Sequence, residues 1–446
     1  MYSTPPLTGA AAATDDATPA PTMRAKKAGL RTFLAPVMGN VLEWYDFAVY
    51  AFVAALIGRN FFPAADPATA MLGSFAVFGV GFLARPLGSI VIGRIGDTRG
   101  RKVALLLTIY IMTAGTLLLA VLPTYATAGV LAPVLLVVAR LLQGFSAGGE
   151  WGGAISFIVE WAPERRRGFY GSLHLVGVVG GMLLGSGVAA LLSSLLTPLE
   201  MAEWGWRLPF VVGCLIGPFS LWMRRSIDET PAFTRAVAEQ EPPVPMLQDG
   251  AGFKLSMKAC CMSVLSNISF YVLLFYMPTW VTTQLKLPAS QALWANTIGL
   301  LLLAVLTPLF GHLSDRLGRR TILLMTCVGA LVVAYPAFSY LISLTPATVV
   351  EVIAVQCIFA VILAAIAGVL PTALVEMFST RNRTTWMSIG YGTSVTIFGG
   401  FAPFVAVWLI HKTGTPIAPV YYLMFGALVS GLATLSIRET AFDTLK

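Results

Sequence analysis

Long apolar stretches separated by short polar segments dominate the chain from residue 31 onward. A window of about 19 residues finds twelve of them, each near the ~20 residues that a helix needs to cross ~30 Å of hydrocarbon. The stretches, numbered spans 1 to 12, lie roughly at 31–57, 69–93, 103–122, 129–161, 169–193, 205–223, 256–285, 290–311, 321–343, 349–378, 385–410 and 417–436. A transmembrane β-barrel would show alternating segments of ~10 residues instead. The pattern therefore predicts an all-α membrane protein with twelve transmembrane helices.

The composition agrees with this prediction. Of the 446 residues, 57% are hydrophobic and 11% are charged, whereas a soluble protein has roughly a quarter charged residues. Most soluble enzymes and nucleic-acid-binding proteins are thereby excluded. The five cysteines are odd in number and lie within or beside apolar runs without metal-ligand spacing, so we expect reduced packing residues, no metal and no cofactor.

The distribution of the 29 Lys and Arg residues predicts the topology. If the N-terminus is cytoplasmic, 23 of them fall on the cytoplasmic side and three, Arg59, Lys286 and Lys412, on the other. The positive-inside rule then places both termini in the cytoplasm of a cell inner membrane. The net charge of +8 follows from this topology, so no nucleic-acid partner is needed.

An internal repeat divides the chain into two halves. The segment 93–102, GRIGDTRGRK, returns 218 residues later at 311–320 as GHLSDRLGRR. Glu160 likewise recurs 216 residues later as Glu376, each followed by the arginines at +5 and +7. Both halves start and end inside, so they are parallel repeats whose interface is the expected place for a midplane binding site.

The repeat also sets the predicted domain boundaries. They are a disordered cytoplasmic tail at 1–30, an N-terminal six-helix half at 31–223, a polar cytoplasmic linker at 224–255 and a C-terminal six-helix half at 256–446. The tail is rich in Ala, Thr and Pro and carries Asp15 and Asp16 where a signal peptide would have basic residues, so we do not expect a cleaved leader.

The repeated loop, G-x-x-x-D-x-x-G-R-K, resembles the signature loop of the major facilitator superfamily. Four further strings are similar to its metabolite/proton symporter branch, which includes transporters of α-ketoglutarate, citrate, shikimate and proline/betaine. They are GNVLEWYDF at 39–47, RPLG at 85–88, RLLQGFSAGGE at 140–150 and EWGWRLP at 203–209. The resemblance runs from about residue 31 to 440. It implies two rocking six-helix halves that carry a small molecule and protons across the bilayer, in a chain expected to be monomeric.

Two departures from the family pattern are visible. Thr98 stands where the first signature loop often has Arg, which would weaken a conformational lock. The long C-terminal coiled coil of the osmosensing proline/betaine member is absent, which argues against osmotic gating.

The resemblance implies that the signature loops form a charge lock between the halves, the alternative being static topology and anchoring charge. Asp97 lies at the C-terminal end of span 2, where the helix dipole disfavours an anion unless cations or another helix N-terminus compensate. The candidate lock residues are Gly93, Asp97, Gly100, Arg101 and Lys102 in the first loop, with Asp315, Arg316, Gly318, Arg319 and Arg320 in the second.

Charged residues within the predicted spans are the candidate proton-coupling residues, because they are costly there and usually face a cavity or a partner. Glu43 and Asp46 are three apart on one face of span 1. Two close carboxylates favour protonation of one of them, as a reversible proton site requires. Glu150 is a third candidate. The alternative for the first pair is a structural hydrogen-bonding role.

Two arginines are the main substrate-binding candidates. Arg140, midway along span 4, offers a planar two-pronged receptor for carboxylate, or neutralises Glu43 or Asp46. Arg85 is either a second receptor or a snorkelling structural residue.

The remaining substrate-binding candidates are less specific. Arg207 beside Trp204 and Trp206 fits an interfacial anchor or a substrate entry site. Polar candidates that can hydrogen-bond without titrating are Gln143, Asn267, Tyr271, Tyr276 and Gln356. They can equally hold helices together. His174 is either a packing residue or a proton carrier, and Gly177, Gly181 and Gly185 predict a close helix-packing face.

These observations predict a secondary transporter that cotransports a small organic acid, such as a di- or tricarboxylate, inward with protons by alternating access. The alternative is a zwitterionic osmolyte such as proline or betaine. A drug exporter is less well supported because span 5 lacks the expected Gly-Pro signature. An intramembrane enzyme would need a catalytic set that three histidines do not supply, so no enzyme is expected.

Overall fold

The computed structural model describes residues 30–62, 67–225, 228–239, 250–344 and 348–445, and within them the chain is helical and without strands. The α-helices are α1 (Leu30–Phe52), α2 (Ala54–Phe61), α3 (Pro67–Leu83), α4 (Arg85–Arg99), α5 (Arg101–Val121), α6 (Tyr125–Ala128), α7 (Leu131–Trp161), α8 (Arg167–Leu195), α9 (Pro198–Glu203), α10 (Leu208–Arg225), α11 (Pro231–Ala238), α12 (Gly250–Met262), α13 (Val264–Tyr271), α14 (Met277–Gln284), α15 (Ala289–Leu317), α16 (Arg319–Ser343), α17 (Val349–Met377), α18 (Arg383–Ser394), α19 (Ala402–Thr413) and α20 (Pro419–Leu435). The predicted tail lies outside the described residues, except for Leu30.

The helices follow the predicted spans. Within the described residues, ten helical stretches are long and apolar enough to cross a membrane, and α20 is a shorter apolar helix. The pair α1 and α2 covers span 1. Two spans of the second half contain a π-helical turn, Val272–Tyr276 between α13 and α14 and Val395–Gly400 between α18 and α19. Such turns interrupt the regular ladder and are frequent at functional sites.

Glycine makes the sharp turn in each signature loop. Gly100 and Gly318 precede α5 and α16 with φ angles of 109° and 96°, which residues with a Cβ rarely adopt. A Cβ at Gly100 would also lie 2.1 Å from Oε2 of Glu229. Glycine at position 100 therefore leaves room for the side chain of Glu229.

The two halves meet along a few helices. Helix α8 of the first half packs against α15 and α17 of the second half. Helices α4 and α7 of the first half pack against α18 of the second half. The main apolar core contains Trp44 and Phe82 of the first half together with Leu265 and Tyr271 of the second. Packed helices and a shared apolar core therefore join the two halves.

The predicted glycine face is confirmed. Gly177 and Gly181 of α8 lie against α1, so close that an added Cβ would be 2.7 Å from the backbone oxygen of Val37 and 2.5 Å from that of Val41. Because small residues let helix backbones approach, this face sets the distance between α1 and α8. It thereby positions Glu43 and Asp46, which α1 carries.

Candidate functional site

A cleft of about 500 Å³, part of which is open to solvent, lies between the two halves. Its walls come from α1, α7 and α8 of the first half and from α13, α17 and α18 of the second. Five aromatic residues line it: Trp44, Trp151, Phe270, Tyr271 and Tyr391. Among the lining residues, all in the described part of the chain, none is Asp, Glu, Lys or Arg. The lining of the cleft is thus rich in aromatic rings. It also contains the imidazole ring of His174, which can be protonated.

The aromatic rings form two groups, and each group joins the halves. Trp151 of α7 stacks on Tyr391 of α18 with ring centroids 3.5 Å apart and 3° between the planes. Trp44 of α1 meets Phe270 of α13 edge to face, with centroids 5.0 Å apart. Of the five lining rings, only Tyr271 was a sequence candidate, because an aromatic residue in an apolar span usually has a packing role.

The polar residues of the cleft are few. Asn267, a sequence candidate, lines it and donates a hydrogen bond of 3.1 Å to Oγ of Ser394. His174 also lines it and is hydrogen-bonded through Nδ1 to the side-chain amide of Asn40. Tyr271, another candidate, is 2% exposed and its buried hydroxyl has no hydrogen-bond partner. That hydroxyl is therefore a donor without an acceptor at the cleft wall.

Glu43 and Arg85 form a buried ion pair beside the cleft. Nη2 of Arg85 lies 3.1 Å from Oε1 of Glu43, and both side chains are about 97% buried. The guanidinium carbon lies 4.6 Å from the ring centre of Phe82, and that ring is 5.6 Å from the ring of Tyr271. One phenyl ring thus separates Arg85 from the cleft wall.

Asp46 belongs to a second polar cluster, inside the first half. Its Oδ2 accepts hydrogen bonds from the hydroxyl of Thr116 and, at 3.2 Å, from the amide of Gln143. Arg140 donates at 2.7 Å to Oε1 of Gln143, so it is linked to Asp46 through Gln143. The other oxygen of Asp46, Oδ1, is buried without a partner.

Aromatic rings surround the Arg140 guanidinium. Its carbon lies 4.4 Å from the ring centre of Tyr50, 4.8 Å from that of Phe47 and 5.3 Å from that of Phe78. Arg140 is fully buried and is not among the residues that line the cleft. Its Nη1 is linked through Gln143 to Asp46, whereas its Nε and Nη2 are buried without a hydrogen-bond partner.

Glu150 belongs to a third group of buried polar residues. Both of its oxygens contact Arg224, with Nη1 of Arg224 3.1 Å from Oε2, and the hydroxyl of Thr108 also donates to it. Arg224 is one of the 23 Lys and Arg residues that the sequence places on the cytoplasmic side, and in the structure it is fully buried. A carboxylate that is already paired and hydrogen-bonded is a weaker candidate for proton exchange than Asp46.

Three other sequence candidates lie outside the cleft lining. Arg207 donates to the backbone oxygen of Leu122 at 2.8 Å and stacks on Trp206 at 4.2 Å, which fits the anchor alternative. Gln356 donates to the backbone oxygen of Leu273 at 3.3 Å, so it ties α17 to a π-helical turn. Tyr276 is buried at the end of that turn.

The signature loops join the halves at one end of the molecule. Asp97 accepts hydrogen bonds from the backbone nitrogens of Thr384 and Thr385, at 3.1 and 2.7 Å, and from Oγ1 of Thr385 at 2.6 Å. Asp315 accepts from the backbone nitrogens of Gly168 and Phe169, at 2.8 and 3.0 Å. Each carboxylate thus meets the positive N-terminal end of a helix in the opposite half.

Arginines extend this network in both halves. Arg101 lies 2.7 Å from Asp97 and 3.4 Å from Glu160, and Arg319 lies 2.8 Å from Asp315 and 3.3 Å from Glu376. Ion pairs also cross between the halves, among them Arg383 with Glu160 at 2.7 Å and Arg167 with Glu376 at 3.2 Å.

The other lock candidates have local roles. Lys102 and Arg320 donate to backbone oxygens of their own halves, and Arg316 is exposed. Gly93 lies so close to α18 that a Cβ would be 2.9 Å from Cα of Thr385.

Acidic caps complete the loops. The backbone nitrogens of Arg101 and Lys102 each donate to Glu229 at 3.1 Å, and those of Arg319 and Arg320 donate to Glu439 at 2.8 and 3.0 Å. Burial raises the pKa of the Glu229 carboxyl, against the hydrogen bonds that lower it. In the sequence, Glu229 lies in the segment 227–230, IDET, which recurs 210 residues later as IRET at 437–440. The two caps are therefore a further part of the internal repeat.

Comparisons with known proteins agree with this geometry. The profile of the sugar (and other) transporter family matches residues 32–252, and that of the major facilitator superfamily matches residues 259–444. The proline/betaine transporter of Salmonella typhimurium is 36% identical over 427 residues, which cover 93% of this chain and 85% of the relative. The chain belongs to the major facilitator superfamily. It is a multi-pass membrane protein and a secondary transporter, and its relatives are transporters rather than enzymes.

Further relatives and structures are consistent with that assignment. The glycine betaine/proline/ectoine/pipecolic acid transporter of Dickeya dadantii is 35% identical, covering 93% of this chain and 84% of the relative. A proton:xylose symporter bound to 6-bromo-6-deoxy-D-glucose superposes with a TM-score of 0.78 at 18% identity, covering 93% of this chain and 97% of that one. The inward-open xylose transporter of E. coli gives a TM-score of 0.68. These structures show the fold.

Proposed function

We propose that the transporter takes up a small zwitterionic osmolyte, such as proline or betaine, together with protons. The observation that carries this proposal is the cleft between the halves, whose lining contains no Asp, Glu, Lys or Arg. A ligand without net charge fits such a site. The names of the relatives that are 35–36% identical support the same substrate class.

The expectation of a di- or tricarboxylate has less support. Several carboxylates taken out of water need cationic partners, since an uncompensated buried charge costs several kcal/mol. Arg85 is already paired with Glu43, and Arg140 is not among the residues that line the cleft. The cleft therefore lacks the positive charge that such a substrate requires.

The proton step is proposed at the two buried carboxyl groups of α1. Protonation of Glu43 would end its attraction for Arg85 and leave that guanidinium free to attract the carboxylate of the substrate. Asp46, with one oxygen unpartnered, is the second place where a proton can be held. Uptake of a neutral zwitterion with a proton then moves positive charge inward, so the membrane potential assists it.

Alternating access is proposed through the signature-loop network. That end faces the cytoplasm of an inner-membrane protein with both termini inside, as the distribution of Lys and Arg predicts. In the present structure the halves are joined there. Opening to the cytoplasm then requires the Asp97 and Asp315 contacts to separate, and the transporter does this as a monomer.

Uptake by purified protein in proteoliposomes tests the proposal. Labelled proline, glycine betaine, α-ketoglutarate and citrate are supplied with an inward proton gradient. A zwitterion is expected to accumulate, and a protonophore is expected to abolish its accumulation. Accumulation of a di- or tricarboxylate without any zwitterion would overturn the substrate class. Uptake that follows sodium and ignores the proton gradient would overturn the proton coupling.

A further inference from the structure

We propose that the aromatic rings of the cleft form a binding site for a quaternary ammonium group, so that the transporter prefers N-methylated zwitterions to amino acids with a free ammonium. This inference rests on the proposed function and narrows its substrate class. The rings concerned are those of Trp44, Trp151, Phe270, Tyr271 and Tyr391.

The chemistry of the lining favours an ammonium that does not hydrogen-bond. A primary or secondary ammonium taken out of water must donate its N–H groups to acceptors, and a buried donor left unpaired costs free energy. The lining offers such a group the neutral polar side chains of Ser266 and Asn267 but no carboxylate. A fully methylated ammonium has no N–H to satisfy and is instead stabilised by the faces of aromatic rings, most strongly by Trp.

The placement of the rings adds a conformational consequence. Each group contains one ring from each half, Trp44 with Phe270 and Trp151 with Tyr391. The set of rings around the cleft is therefore complete only when the two halves are in contact at the depth of the cleft. A ligand that fills it stabilises the closed arrangement, which is the state that a carrier must pass through to expose its substrate on the other side.

The carboxylate end of the ligand has a matching donor. The hydroxyl of Tyr271 is buried without a partner, and it can donate to a carboxylate oxygen. Arg85 lies behind it, across the ring of Phe82, and supplies positive charge on that side. A betaine bound with its methylated end among the rings and its carboxylate toward Tyr271 uses both features.

A ligand series on the wild-type protein tests the inference without any mutation. Equilibrium binding to full-length protein in nanodiscs is measured for glycine, N-methylglycine, N,N-dimethylglycine and glycine betaine. Affinity is expected to rise along the series, by about tenfold or more in total, since a desolvated cation–π contact contributes on the order of a tenfold gain or more. The isostere 3,3-dimethylbutanoate, which keeps the shape but replaces the charged nitrogen by carbon, is expected to bind at least about tenfold more weakly than glycine betaine.

Variants then assign the effect to the rings. Trp44→Leu is expected to lose most of the preference for glycine betaine over proline, and Trp44→Phe to keep part of it. Trp222→Leu is the matched control, because Trp222 of α10 is 61% exposed and lies outside the cleft lining. Tyr271→Phe is expected to lower the affinity for all the zwitterions by the same factor and to leave the order of affinities in the series unchanged.

The outcomes separate the two proposals. A flat or reversed series, with proline still accumulated by the proton gradient, overturns the quaternary-ammonium site and leaves the proposed function standing. Equal binding of glycine betaine and 3,3-dimethylbutanoate overturns it as well, as does unchanged selectivity in a folded Trp44→Leu protein. Absence of uptake of any zwitterion in proteoliposomes overturns the proposed function itself.

Discussion

The carboxylate of Asp97 lies 2.7 Å from the backbone nitrogen of Thr385, although the two residues belong to different halves of the molecule. The contact has a counterpart in the second half, where Asp315 lies 2.8 Å from the backbone nitrogen of Gly168. The internal repeat in the sequence is thus expressed as two reciprocal caps, each made by one half on a helix of the other. Separating the halves at this end requires breaking both.

Substitution of Asp97 tests this relationship. Asp97→Asn keeps the size but removes the charge that Arg101 and the α18 N-terminus stabilise, and hydrogen bonds to charged groups are worth about 1.5–3 kcal/mol each. We expect transport turnover to fall by about tenfold or more while substrate affinity stays within about threefold. Initial uptake rates and equilibrium binding are the two measurements.

The control for Asp97 is its neighbour Thr98, whose exposed hydroxyl bonds only within its own helix, to the backbone oxygen of Arg94 at 2.7 Å. Thr98→Ala is expected to behave as wild type. Unchanged turnover in a normally expressed Asp97→Asn protein would contradict the lock and would leave the signature loop with a role in membrane topology only.

Neutral substitutions at the two α1 carboxyl groups separate coupling from binding. Glu43→Gln and Asp46→Asn cannot exchange a proton, so we expect each to lose accumulation driven by the proton gradient and to retain exchange of labelled for unlabelled substrate. The assay compares gradient-driven uptake with counterflow in the same vesicles. Continued gradient-driven accumulation by both variants would remove both residues from the coupling mechanism.

Substitution of Arg140 distinguishes the two substrate classes. If the ligand is a zwitterion held in the cleft, Arg140→Lys should bind it within about threefold of wild type, because Arg140 is outside the lining. If the ligand is instead a carboxylate held by Arg140, losing the planar fork should cost affinity, and Arg140→Gln should lose about 30-fold or more. Binding of labelled ligand to both variants, with expression and insertion checked, gives the answer.

The glycine face of α8 predicts a stability effect. At Gly181 a methyl group would lie 2.5 Å from the backbone oxygen of Val41 and 2.9 Å from the backbone nitrogen of Tyr45. Gly181→Ala should therefore destabilise the protein by about 1–3 kcal/mol through overpacking. Thermal unfolding in detergent should show a lower transition temperature for Gly181→Ala. Gly187→Ala, where an added methyl meets nothing within 4 Å, should not show one.

Much of the architecture could be predicted from the sequence because its causes are local or repeated. Apolar stretches of about 20 residues must become helices in lipid, since every backbone polar group there needs an internal partner. The repeat of 93–102 at 311–320 predicted two related halves. The spacing of Gly177 and Gly181 predicted a close helix contact, which α1 provides.

The partners of the buried charges were decided only by the tertiary structure. The sequence identified Glu43, Asp46, Arg85 and Arg140 as a set, but it left open which carboxylate each arginine serves. Packing joins Arg85 to Glu43 directly and Arg140 to Asp46 through Gln143. Such pairings depend on helix rotation and on which helices are neighbours, and neither is encoded in the hydrophobic pattern of a single span.

The cleft itself is also a product of tertiary structure. Trp44, Trp151, Phe270 and Tyr391 are far apart in the sequence, and in each span the ring looks like an ordinary apolar residue. They become one aromatic surface because α1 and α7 of one half face α13 and α18 of the other. The sequence by itself therefore determined the class of protein and its two-fold plan. The association of the halves decided the chemistry of the site, because it brings the aromatic rings together in a cleft lining without Asp, Glu, Lys or Arg.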